Sequence, residues 1–224
     1  MNGLNLLEAT ISELSPLIRD RKLSPVELTQ ACIGQCERLD PTLHAFITMT
    51  PEYALQRARE AEQEIGDGHY RGTLHGIPYT LKDVIATHGI RTTWGNPGLT
   101  DFKPAEHATV HTLLEEAGAV LLGKVYSHIG RGDNPVMCYS PWDPTTSPGT
   151  SSSGSSSAVA SGMGFLSIGT DTAGSVRHPA SNCGLVGFKA TFGRISRSGV
   201  WATSWTTDQA GPITKTVEDN AIAL

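Results

Sequence analysis

The chain has no long apolar run, no excess of basic residues and no closely spaced pair of metal-binding cysteines. Its 17 lysines and arginines are outnumbered by 22 aspartates and glutamates, which leaves a net charge of −5. A nucleic-acid-binding surface normally needs a basic face, so this function is not favoured. No apolar segment approaches the roughly 20 residues that span a membrane, and the N-terminus lacks the charged and apolar regions of a signal peptide. We therefore expect a cytoplasmic protein without nucleic-acid or membrane partners.

The four cysteines do not follow a disulfide or zinc pattern. Cys32 and Cys36 lie four residues apart on a predicted helix and share one face, where core packing explains them. Cys138 and Cys183 have no CxxC partner and no metal-like spacing with the eight histidines. In a chain of this size without a secretion signal, thiols are expected to stay free. We predict free thiols and neither a metal nor a cofactor.

The N-terminal part, residues 1–66, is predicted to be helical with one interruption. A capping pattern at Ser24-Pro25 begins a helix that we expect to end at about Leu39, because Asp40-Pro41 follows. Residues 43–49 are strand-like and separate this helix from a charged helix that follows. We treat this part as the helical beginning of one domain.

From residue 67 onward, apolar strands alternate with helices. An apolar run over residues 77–81 ends in Lys82-Asp83, and residues 108–118 have helical periodicity before an apolar strand at 119–122. This alternation predicts an α/β domain with helices on both faces of a largely buried sheet. The chain stops within a predicted helix that has an N-cap but no C-cap, so we expect a domain cut at residue 224 and an incomplete sheet.

Residues 147–179 are rich in serine, glycine and small apolar residues. Gly/Ser-rich segments are usually flexible linkers, but this one continues into the apolar residues 158–168. The order predicts a closely packed helix of small residues and then a buried strand that ends at Gly169-Thr170-Asp171. Gly174 then permits a tight turn that presents Ser175 among backbone N–H groups.

Two familiar motifs are incomplete in this chain. Residues 118–124 approach a phosphate-binding P-loop, but Val125 stands where a serine or threonine would bind magnesium. Residues 149–153 lack the last glycine of a G-x-S-x-G nucleophile elbow. A histidine-dependent serine hydrolase is therefore unsupported, although spacing alone leaves His128 and His178 open as partners of a serine.

A nucleophilic serine needs a proton acceptor, and without an identified histidine the candidates are a lysine or another serine. Lys82 follows an apolar run, so its ammonium group would lie at a buried strand end. Burial disfavours the charged form: lowering a lysine pKa from about 10.4 to about 7 corresponds to roughly 4 to 5 kcal/mol. A solvent-reaching lysine, or one paired with Asp83, is the alternative interpretation.

Several blocks in a fixed order resemble the amidase signature family. They are residues 76–83, 147–154, 169–177 and 183–189, with a further counterpart at 205–212. The similarity runs from about Leu7 to the end. Residues 45–124 look most like the A subunit of glutamyl-tRNA(Gln) amidotransferase and the small-molecule amidases near it. The resemblance implies the amidase signature fold, a mixed β-sheet flanked by helices on both faces.

By position, the resemblance implies a Ser–cis-Ser–Lys triad. Ser175 would be the nucleophile and Lys82 the base, with Ser151, whose peptide is cis in the family, as the bridge between them. Asp171 and Arg177 would form a buried ion pair that orients the turn. The backbone N–H groups of four consecutive residues would form the oxyanion hole: Thr172, Ala173, Gly174 and Ser175.

The sequence departs from the family pattern at Thr150, Ser153 and Ala173, where glycine is usual, and after Lys124, where Thr-Asn is usual. The leading hypothesis is hydrolysis of a small carboxamide through an acyl-serine intermediate. One alternative is the A subunit of a tRNA-dependent amidotransferase, which hydrolyses glutamine and works with partner subunits. Another is a truncated, inactive fragment. A homodimer is a further predicted assembly.

Overall fold

The computed structural model describes residues 5–127 and 138–224. The α-helices in these residues are α1 (Ile11–Arg19), α2 (Pro25–Leu43), α3 (Pro51–Gly66), α4 (Thr109–Glu116), α5 (Ser153–Ala160), α6 (Arg177–Asn182) and α7 (Val217–Ala223). The strands are β1 (Phe46–Met49), β2 (Pro78–Lys82), β3 (Val120–Val125), β4 (Leu166–Asp171), β5 (Val186–Gly187) and β6 (Gln209–Thr214). In this part of the chain, no helix is both long and apolar enough to span a bilayer.

The strands form one mixed sheet in the order β1-β3-β2-β4-β6-β5. β2 lies at its centre and runs parallel to both β3 and β4, whereas β1, β6 and β5 are antiparallel to their neighbours. Every residue of β2, β3, β4 and β6 is buried, as expected for strands covered on both faces. The predicted fold class, a mixed sheet flanked by helices, is confirmed.

The N-terminal part contributes a strand as well as helices. β1 pairs antiparallel with β3, Phe46 opposite Val125, so this part joins the main sheet. α2 begins at the predicted cap, where the Ser24 hydroxyl accepts two backbone N–H groups at 3.0 and 3.1 Å. Its predicted end at Leu39 is wrong, because the helix continues through Pro41 to Leu43.

The late end of α2 has a local cause. Pro41 removes one hydrogen bond from the last turn, but the backbone turns away only at His44, which has a left-handed φ of 51°. The Asp40 carboxylate accepts the N–H groups of Ala45 and Phe46 at 2.7 and 3.0 Å. Asp40, which was expected to stop the helix, therefore stabilises the turn that follows it.

The serine-rich segment forms a buried helix, as predicted, and not a linker. α5 is buried along its length up to Val159. A Cβ atom at Gly154 would lie 2.4 Å from the backbone nitrogen of Tyr126 and 2.5 Å from the carbonyl oxygen of Ala45. Glycine is required here because the helix lies directly against the chain that flanks β1 and β3. All four cysteines are buried free thiols, as predicted.

Candidate active site

The candidate site lies where two neighbouring parallel strands end. β2 ends at Lys82 and β4 at Asp171, and the two strands pair with Leu81 opposite Ile168. Carboxyl ends of adjacent parallel strands meet at one edge of a sheet, where α/β proteins bind ligands. The segment before α5 brings Ser151 to this edge, and the turn after β4 brings Ser175.

Lys82 is completely buried, and two hydroxyl groups surround its amine. Nζ is hydrogen-bonded to Oγ of Ser151 and, at 2.9 Å, to Oγ1 of Thr170. It forms no ion pair within the described residues, and the Asp83 carboxylate accepts the N–H of Thr93 at 3.0 Å instead. Burial lowers the pKa of Lys82 to about 7, although the carboxylates of Asp208 and Asp171 act to raise it. An amine in this setting carries a lone pair near neutral pH.

Ser151 has a left-handed backbone conformation, with φ 76°. No peptide bond in residues 5–127 and 138–224 is cis, so the cis peptide expected at Ser151 is not found. The chain reverses here through positive φ angles at Gly149 and Ser151. Such a conformation costs about 1–3 kcal/mol for a residue with a side chain, and surrounding contacts must hold it. Thr150 is exposed, whereas Ser153 is buried in the first turn of α5.

Ser175 is half-buried, and its hydroxyl has no hydrogen-bond partner among the residues that the structure describes. The two serine segments touch through the backbone: the N–H of Ser152 donates to the carbonyl of Ser175 at 3.2 Å. The Ser152 hydroxyl also accepts the N–H of Thr170 at 3.3 Å. The structure thus brings Lys82 and Ser151 into contact and places Ser175 beside them, without a hydrogen bond between the two serine hydroxyls.

The turn that carries Ser175 is organised by the buried carboxylate of Asp171. This carboxylate accepts the N–H groups of Gly174 at 2.8 Å and Val176 at 3.2 Å, and it pairs with the Arg177 guanidinium at 3.0 Å. The predicted ion pair is present, although its arginine is half exposed. Burial alone would raise the pKa of Asp171, but these donors hold it well below its usual range.

Of the four N–H groups predicted to form the oxyanion hole, one already has a hydrogen-bond partner. The N–H of Gly174 is already bonded to Asp171, so its assignment to the oxyanion hole is corrected. The N–H groups of Thr172, Ala173 and Ser175 have no partner in the described part of the chain. Gly174 itself has φ 132°, which explains why glycine stands there.

Two charged residues at the turn were not predicted. Lys189 donates to the carbonyl of Thr172 at 2.7 Å and lies 3.2 Å from Asp171. Asp208 accepts the Thr172 hydroxyl at 2.5 Å. Both residues lie in blocks that carried the family resemblance, but nothing in the local pattern gave either one a role. Of the histidines left open, His178 lies 3.5 Å from Asn182 and bonds to no serine, and His128 is outside the described residues.

Residues 27–224 match the model of the Amidase family. The chain belongs to this family. It is 43% identical over 227 residues to "Putative amidase AmiD" of Mycobacterium tuberculosis, covering all of this chain and 47% of that protein. It is 40% identical to the A subunit of glutamyl-tRNA(Gln) amidotransferase of Geobacter sp. strain M21, covering 99% of this chain and 47% of that protein.

Solved structures of amidases have the same fold. The native peptide amidase from Stenotrophomonas maltophilia superposes with a TM-score of 0.89 at 35% identity, over 96% of this chain and 47% of that one. The A subunit of glutamyl-tRNA(Gln) amidotransferase from Thermotoga maritima gives a TM-score of 0.81 at 35% identity, over 100% of this chain and 47% of that one. The chain thus spans about half the length of these amidase relatives.

One cluster outside the candidate site has the composition of a metal site. Nitrogen and carboxylate atoms of His107, His111 and Glu115 lie within 4.8 Å of one another. However, Nδ1 of His107 accepts the N–H of His88 at 3.0 Å, so the proton of the neutral ring is on Nε2, which faces Glu115 at 3.6 Å. A ligating nitrogen needs a free lone pair, so His107 does not fit a metal ion in this arrangement.

Proposed function

We propose that this chain carries the nucleophile and base of an amide hydrolase that forms an acyl intermediate on Ser175. The observation that supports this most strongly is the hydrogen bond between the buried Lys82 amine and Ser151, next to the turn of Ser175. A lysine whose pKa is about 7 is half neutral at physiological pH, as a general base requires. Membership of the Amidase family supports the reaction class.

In the proposed mechanism, neutral Lys82 takes the proton of Ser151, and Ser151 takes the proton of Ser175. The Ser175 oxygen attacks the amide carbon, and the carbonyl oxygen becomes an oxyanion. Free backbone N–H groups at Thr172, Ala173 and Ser175 would stabilise it, each contributing roughly 3 to 4 kcal/mol. The C–N bond then breaks as the proton returns through Ser151 to the leaving amine. Water releases the acid by the same steps.

The substrate class is a small carboxamide. The neighbouring structure named a peptide amidase and the relative named an amidase favour this class. Glutamine hydrolysis in an amidotransferase with partner subunits is the second candidate, because relatives with that name are equally similar. Ammonia release from glutamine and from small amides, each with the chain alone, distinguishes the two candidates.

A fluorophosphonate probe tests the nucleophile. We expect a single adduct on Ser175, found by peptide mapping, and loss of labelling in Ser175→Ala. Ser153→Ala is a matched control, because it removes another buried hydroxyl from the same region without touching Lys82. An adduct on another residue, or no adduct in a preparation that melts cooperatively, contradicts the proposal.

The state of the isolated chain is tested by thermal melting and size-exclusion chromatography. A cooperative transition is expected of a folded hydrolase, whereas an aggregated chain would support the inactive-fragment alternative. The elution volume also tests the predicted homodimer. The cytoplasmic location stays a prediction.

A further inference from the structure

Asp208 lies immediately before β6, near the end of β4 that carries the Ser175 turn. The two strands pair antiparallel, with Asp171 opposite Gln209. Asp208 is buried, and its two carboxylate oxygens have different partners. Oδ1 accepts the Thr172 hydroxyl at 2.5 Å, and Oδ2 accepts the N–H groups of Thr203 and Ser204 at 2.6 and 2.8 Å. The carboxylate therefore joins the loop before β6 to the first residue of the turn.

The charge of Asp208 differs from that of Asp171 in how it is balanced. Asp171 pairs with both Arg177 and Lys189. Asp208 forms no ion pair within residues 5–127 and 138–224, and its partners are a hydroxyl and two backbone amides. Its negative charge is therefore less compensated, and a buried charge is weakly screened.

Lys82 is the buried cationic group on which these two carboxylates act. Thr170, whose hydroxyl accepts from the Lys82 amine, pairs with Ala210, two residues after Asp208. Both carboxylates act to raise the pKa of Lys82, Asp208 more than Asp171. The other groups around the amine are the hydroxyls of Ser151 and Thr170. Arg177 and Lys189 are engaged by Asp171 and offset that carboxylate.

We propose that Asp208 is a positioning residue of the amidase site, which fixes the Ser175 turn through Thr172 and stabilises the protonated form of Lys82 through its charge. The catalytic consequence rests on the proposed function. Without Asp208, burial would favour the neutral amine even more strongly, and the base would stay active at lower pH. With it, the lysine titrates near neutrality and the turn is held in place at the same time.

Two variants separate the two roles. Asp208→Asn removes the charge and keeps an acceptor for the Thr203 and Ser204 amides, so we expect the midpoint of the pH–labelling profile to fall by about one pH unit. Thr172→Val removes the hydroxyl contact and keeps the charge, so the maximal labelling rate should fall about tenfold at an unchanged midpoint. Asp143→Asn, in an exposed loop, is the control for charge removal alone.

A second measurement does not depend on turnover. The pKa of Lys82 is followed by NMR of isotope-labelled lysine side chains, and its signal is assigned by its absence in Lys82→Met. A lower midpoint in Asp208→Asn supports the inference even when Ser175 fails to react, which would refute only the proposed function. An unchanged midpoint overturns the inference, even in a chain that labels normally. Asp208→Ser provides the same charge removal where Asp208→Asn does not melt cooperatively.

Discussion

Two buried lysines on neighbouring strands, Lys82 and Lys124, share every property that a search for a catalytic base would use. Both are 0% exposed, and burial lowers the pKa of each to about 7. β2 and β3 are parallel, with Leu81 opposite Lys124 and Lys82 opposite Val125. Residues that pair directly share a face and successive residues alternate, so the two side chains leave opposite faces of the sheet.

What separates the two lysines is their surroundings. Lys82 meets the hydroxyls of Ser151 and Thr170, which belong to the serine-rich segment and the end of β4. Lys124 binds the carbonyl of Ile85 and, at 2.8 Å, the hydroxyl of Thr92. It also lies near the Asp83 carboxylate, which acts to raise its pKa. Burial, a lowered pKa and a neighbouring hydroxyl therefore do not identify a base, because both lysines have all three. Lys82 differs because its partner Ser151 adjoins the turn of Ser175.

The largest expected effect is the loss of Ser175 labelling in Lys82→Met. The variant keeps the volume of the side chain and removes the proposed base, so labelling of Ser175 should slow by about 1,000-fold. Lys124→Met is the matched control, since it removes an equally buried amine from the other face, and should label within a few fold of the parent. Rates are measured with a fluorophosphonate at pH 8. Equal losses of labelling rate in both variants would contradict the assignment of Lys82 as the base and show that both amines have a structural role.

The second effect is on stability, and here Lys124→Met should be the more damaging of the two variants. Lys124→Met removes the charge that acts most strongly to lower the pKa of the buried Asp83 carboxylate, and one oxygen of that carboxylate already lacks a hydrogen-bond partner among the described residues. We expect a loss of about 3 kcal/mol in the free energy of unfolding at pH 6, measured in urea. Lys82→Met should be at least as stable as the parent, because the two carboxylates that act on Lys82 keep other partners: Asp171 pairs with Arg177, and Asp208 accepts two backbone N–H groups. Adding Asp83→Asn to Lys124→Met should recover part of the loss, and no recovery would show that the charge is irrelevant.

The third effect is the pH dependence that both lysines should share. Each has a pKa of about 7 when folded and about 10.5 when unfolded, so above pH 7 the unfolded chain binds more protons and stability rises with pH. The penalty of burying each amine is complete below pH 7 and is relieved between pH 7 and 10.5. The stability of the parent relative to Lys82→Met should therefore increase by about 2 kcal/mol from pH 7 to 8.5. Comparison with Lys124→Met should give the same slope. A flat difference for either lysine would show that its pKa is not lowered.

Much of the fold was predictable because its signals are local. The apolar run before Lys82 and the small residues of α5 indicated a buried strand and a closely packed helix, and both are present. The end of α2 was not predictable from Pro41. What decides it is the Asp40 side chain, which accepts amides that follow the helix, and a local pattern does not show where a carboxylate will turn.

Local patterns could bring site residues together only where one segment contains both partners, as for Asp171 and Arg177, which lie six residues apart. The contact between Lys82 and Ser151, 69 residues apart, was expected from the family resemblance alone. Lys189 and Asp208 reach the same turn from 17 and 36 residues farther along the chain, because β5 pairs with β6 and β6 pairs with β4. The engagement of the Gly174 amide by Asp171 likewise depends on side-chain rotamers that composition does not reveal.

The smallest expected effect concerns the second hydroxyl on each lysine. Thr170→Val removes the acceptor that lies 2.9 Å from the Lys82 amine, so the amine is less firmly aimed at Ser151 and labelling should slow about threefold to tenfold. Thr92→Val is the matched change at Lys124 and should cost about 1 kcal/mol of stability without slowing labelling. Labelling rates and urea titrations of both variants are compared at pH 8. If Thr92→Val slows labelling as much as Thr170→Val does, the loss of a hydroxyl beside either lysine affects Ser175. The conclusion that only the surroundings of Lys82 matter for labelling would then be wrong.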